Sequence, residues 1–95
     1  MQGSTFISVP IDKFNEFIVE ALTEHKASKS LIDQVAYHKF HQLNSFSKQF
    51  INEIINNYYG IHYVGLIPDS QHDLIYKLQV TDKKLCTFFL LKYAN

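Results

Sequence analysis

Arginine and tryptophan are absent from this 95-residue chain, and cysteine occurs once. All nine basic residues are lysine. Without guanidinium groups the chain lacks the planar fork that reads guanine edges and clamps phosphate in two-point contacts. Nine acids match the nine lysines, so the formal net charge is zero, whereas binding a phosphate polyanion requires a basic surface. Both absences disfavour nucleic acid as the partner. The abundance of Lys, Asn, Ile, Tyr and Phe has the style of A+T-rich coding, which also depletes arginine. Together with the small size, that style suits a phage or mobile-element product.

A lone Cys86 rules out an intrachain disulfide framework and fits a reduced, intracellular setting. It lies in the apolar run from Leu85 to Leu91 and reads as a small core residue rather than a nucleophile. Glycine is scarce, at Gly3, Gly60 and Gly65 only, so no glycine-rich phosphate loop and no nucleophile elbow is present. Nothing in the spacing of the acids gathers a catalytic pair. The chain has room for one core and little volume for a substrate cleft besides. The expectation is a protein without enzymatic activity or cofactor. The apolar runs are too short for a membrane span. Residues 1–4 match neither a secretory leader nor a myristoylation signal. A cytoplasmic protein is expected, of a bacterium or of the host cell if the source is viral.

Length and a 46% apolar composition indicate one folded domain over residues 1–95. Ser4–Val9 reads as a strand ended by Pro10. From Ile11 to His25, Phe14, Phe17, Ile18, Ala21 and Leu22 recur at helical spacing and form one apolar stripe. A second helix is expected from a Ser30–Asp33 capping box to Leu43, with Ile32, Val35, Ala36, Phe40 and Leu43 inward. Asn44–Ser45 breaks it and caps a third helix, Phe46–Tyr59. The wide stripe of Phe50, Ile51, Ile54, Ile55 and Tyr58 predicts the most buried of the three, with Gly60 past its end. The period then falls from 3.6 to 2. Strands are expected at Ile61–Ile67, Leu74–Val80 and Leu85–Tyr93, joined by polar turns at 68–73 and 81–84. The fold class is α+β, with two layers. Three helices pack on an antiparallel meander of three strands, and the N-terminal strand is available as a fourth at its edge.

Three features could carry function. His38 and His41, three apart, could face one side of the second helix and hold a metal with His25, His62 or an acid. The zinc-protease spacing is not met, and a solvated pair is the preferred reading. Asp12, Glu16, Glu20 and Glu24 recur every fourth residue, a carboxylate ridge with steps of about 6 Å. Such a ridge could dock on a basic groove. It is also what the solvent face of an amphipathic helix looks like. The run Leu85–Tyr93, apolar on both faces as a strand, needs a cover on its second face. That cover is the N-terminal segment, a second copy in a homodimer, or a partner protein. Tyrosines add amphipathic aromatics suited to interfaces.

Charge is segregated along the chain. Segments 1–25, 26–50, 51–75 and 76–95 carry −3, +3, −3 and +3, a patchiness that suits protein docking. The leading expectation is therefore a module that binds a larger protein of unknown identity by covering part of its surface. It would act as a stoichiometric inhibitor, adaptor or immunity-type factor, through Glu16, Glu20, Glu24, Tyr59, Tyr63, Phe89, Leu91 and Tyr93. The alternative is a winged-helix DNA regulator, because three helices precede a hairpin. Its third helix would present Ser45, Ser47, Lys48, Gln49, Asn52 and Asn56 to DNA, with a wing at Lys83 and Lys84.

Overall fold

The computed structural model describes residues 5–69, 71 and 73–93, with side chains through Leu91 in the last helix. The elements run β1 (Thr5–Pro10), α1 (Ile11–Glu24), α2 (Lys29–Tyr37), a 3₁₀ turn (Phe40–Gln42), α3 (Ser45–Tyr59), β2 (Ile61–Pro68), β3 (Leu74–Val80) and α4 (Lys83–Tyr93). The α+β class expected from the sequence is the class observed. The strands form an antiparallel sheet in the order β1-β3-β2, so β1 does join the edge of the β2–β3 hairpin. Ser4 of the expected first strand, and Ser70 and His72 of the expected turn, lie outside the described residues.

One sheet face carries the core. Val9, Tyr76 and Leu78 are fully buried on it. On β2 the register shifts between Tyr63 and Gly65. The extra residue of this bulge lets Tyr63 pair with Leu78 and Leu66 with Tyr76, which keeps both on the packed face. All five residues of the expected α1 stripe are buried, and Phe14 sits edge-on to Tyr76 at 5.0 Å. This makes α1, not α3, the most buried helix. On α3 only Ser47, Ile51 and Ile55 are buried, while Phe50 and Tyr58 are 43% and 55% exposed. Among the described residues no helix is long and apolar enough to cross a membrane.

Two expectations about local structure are corrected. The second helix is capped by Ser28, whose hydroxyl accepts from the Leu31 amide at 3.2 Å, and it ends at Tyr37. Tertiary contacts break the pattern there. Phe40 is buried against Phe14, and its amide donates to Asn15 Oδ1 at 3.2 Å. The His41 amide donates to the Tyr76 hydroxyl at 3.1 Å. Reaching these partners requires extended backbone at His38 and Lys39.

The second correction concerns residues 83–93, which form a helix and not a third meander strand. Asp82 starts it, with Oδ1 accepting from the amides of Lys84 at 3.0 Å and Leu85 at 3.1 Å. Cys86 and Phe89, three apart, turn into the core, while Phe88 and Leu91 turn out. A strand dimer through this segment therefore has no structural basis. Gly60 anchors the helix start to the end of α3. It adopts φ +65°, and its carbonyl accepts from the amides of Thr81 and Asp82 at 2.7 and 3.1 Å.

Candidate functional site

The acidic residues of α1 follow from its amphipathic build. With Phe14, Phe17, Ile18, Ala21 and Leu22 facing the sheet, Asp12, Glu16, Glu20 and Glu24 are left on the solvent side, all exposed. The short connection after α1 folds α2 back beside it. Backbone bonds from the Lys26 amide to the Thr23 carbonyl and from the Ala27 amide to the Leu22 carbonyl close that turn. Between the two helices runs an open groove of about 850 Å³. Its floor is apolar, made by Val19 of α1 with Val35 and Ala36 of α2, and the four carboxylates line it. Among the described residues that line it, none is basic. Asn15, at one end, is held by the Phe40 amide, and the Thr23 hydroxyl donates to the Val19 carbonyl at 2.8 Å.

The remaining residues expected at a binding surface divide between the core and two other surfaces. Tyr59 is half-buried edge-on to Phe17 at 4.9 Å, and its hydroxyl donates to Glu24 Oε2 at 3.3 Å. Tyr63 is half-buried among Phe40, Tyr76 and Phe14, and burial raises its phenol pKa. Phe89 packs on Phe17 at 4.6 Å and is only 1% exposed, so it is core and not contact surface. Leu91 is on the outer side of α4, and Tyr93 falls in that helix with its side chain outside the described residues. Sequence reasoning missed the groove floor. It also missed Phe88, 70% exposed beside Glu20, Glu24 and Tyr59.

The histidine pair is not brought together on one helix. His38 is extended backbone past the end of α2, and His41 lies in the 3₁₀ turn. His41 Nδ1 is 2.7 Å from the Tyr76 hydroxyl. Desolvation first, then Lys39 and Lys48, hold the His41 pKa below its ordinary value. In the neutral ring so favoured, the hydroxyl donates to Nδ1 and the ring proton sits on Nε2. Burial pushes the Tyr76 phenol up to about 12. This pair pins the 3₁₀ turn to the sheet. Among the described residues no group of three or more His, Cys, Asp or Glu is placed to hold a metal. Cys86 is buried, and desolvation raises its thiol pKa.

The polar face of α3 opens on a second cleft with β2, lined by Lys48, Asn52, Glu53, Asn56 and His62 among others. Two of its side-chain amide oxygens accept bonds from within the fold. Asn52 Oδ1 accepts from the Tyr63 amide at 3.0 Å, and Asn56 Oδ1 accepts from the Thr81 hydroxyl. Ser47 is buried. The expected wing at Lys83 and Lys84 is instead the first turn of α4. The β2–β3 turn is built on Asp69, whose Oδ1 accepts from the amides of Gln71 and Asp73.

No protein-family model, no curated protein and no solved structure matches the chain.

Proposed function

We propose that this chain is a non-enzymatic protein-binding module that captures a basic, amphipathic segment of a larger protein in the groove between α1 and α2. Occupying that segment would make it a stoichiometric inhibitor, adaptor or immunity-type factor. One observation carries the reading: four acidic residues of α1 line one side of a groove whose apolar floor is Val19, Val35 and Ala36, with no lysine among the described lining residues. The carboxylates steer a cationic segment and set its register. The floor adds burial at roughly 25 cal/mol per Å² of apolar surface, which salt does not screen. The half-engaged α3 face and the acidic β2–β3 turn weigh against the DNA-regulator alternative.

The probe is a synthetic helical peptide with lysines every fourth position and leucine or alanine between, titrated by calorimetry. Binding should weaken steeply with salt, and Glu16→Lys with Glu20→Lys should lower affinity about tenfold or more. Unchanged affinity in that double variant would remove the proposal. Passage of the chain over heparin at low salt provides the contrast. Retention with steep salt-dependent elution would favour the DNA reading.

A further inference from the structure

We propose that His41 and Tyr76 form a proton-operated clasp, which holds the connection between α2 and α3 on the sheet near neutral pH and releases it in acid. Tyr76 is fully buried on β3. Its hydroxyl meets His41 twice, at the backbone amide (3.1 Å) and at ring Nδ1 (2.7 Å). The amide is a donor, so the phenol oxygen accepts from it. The Phe40 amide bears on the same oxygen. Among the described partners, the phenol proton is therefore left with Nδ1 as its acceptor. That bond exists only while Nδ1 carries no hydrogen.

A second proton on the ring goes to Nδ1 and sets donor against donor. The phenol proton then has no acceptor in a buried site, which is costly. Ionising the phenol gives no escape, since burial pushes it up to about 12. The groups facing the ring do not favour the added charge. Lys39 precedes the turn, Lys48 lies on α3, and Tyr63 of β2 stands beside Tyr76. From α1 the residue bonded to the turn is the uncharged Asn15, and Asp12 shares a cleft with Lys39. Release is local, because Tyr76 keeps its register with Val9 and Leu66 whatever the ring does. The segment set free leads straight out of α2, the helix whose Val35 and Ala36 floor the groove. Folding lowers the ring's pKa, so the clasp is complete above the ordinary 6.5 and gives way as pH falls through the folded-state value.

Amide hydrogen exchange of the full, unliganded chain at about pH 7.5 and about pH 5 tests this. Protection at the amides of His41, Gln42 and Leu43 should fall about tenfold in acid, while Tyr76 and Leu78 hold theirs. In His41→Gln the acid fall should vanish. In Tyr76→Phe, which keeps the core ring, the His41 pKa followed by NMR should rise, because the neutral imidazole has lost its donor. Equal protection at the two pH values, an equal fall at Tyr76 and Leu78, or an acid fall retained in His41→Gln would overturn the proposal. So would an unmoved His41 pKa in Tyr76→Phe. No peptide enters the experiment, so its outcome is separate from capture in the α1–α2 groove.

Discussion

Two residues in left-handed backbone bear on stability in opposite ways. Lys26, with φ +57°, closes the turn after α1 where glycine is the usual residue. A side chain in that conformation costs roughly 1 kcal/mol. Lys26→Gly should therefore raise the melting temperature by about 4 °C or more, read by calorimetry. Gly60 is the reverse case. A Cβ there would overlap the Asp82 carbonyl oxygen, on top of the left-handed penalty. Gly60→Ala should lower stability by about 2 kcal/mol or more in urea unfolding. His41 gives a pH signature. Folding depresses its pKa below the ordinary 6.5, so the neutral ring belongs to the folded state. Its contribution is complete above that value and is lost as pH falls through the folded-state pKa. Melts at about pH 7.5 and about pH 5 should show an acid loss that is smaller in His41→Gln. An identical loss in the variant would exclude His41 as its source.

At the scale of elements, α4 shows where the sequence could be read and where it could not. Leu85–Leu91 is apolar but for Thr87, so no polar face marks a period, and Phe88 with Phe89 favours a strand by composition. The usable signal lay just upstream. Asp82 is a capping residue followed by good helix formers, and its carboxylate does cap the helix. Asp82→Ala should cost about 1 kcal/mol and increase hydrogen exchange across residues 83–90 selectively. By contrast α1 was fully legible, because its five buried residues and its acidic ridge share one 3.6-residue period. The second helix was overextended since nothing local reports that Asn15 and Tyr76 will draw residues 40 and 41 away from helical backbone. The acidic side of the groove was readable on α1 alone. Its floor was not, because Val35 and Ala36 reach it only once α2 packs beside α1.

For the whole molecule, two of the described surfaces left after the core is filled bring apolar and charged side chains together. One is acidic with an apolar floor, and the other is apolar with an acidic margin. The first is the proposed partner site, and Glu20 and Glu24 border both. Heteronuclear NMR of the labelled chain, titrated with the lysine-bearing helical peptide, tests the central claim most directly. Docking in the groove predicts shift changes confined to α1 and α2, centred on the amides of Glu16, Val19, Glu20, Val35 and Ala36, with saturation at one peptide per chain. Changes centred on α3 and β2, or none at concentrations up to about 1 mM, would contradict it.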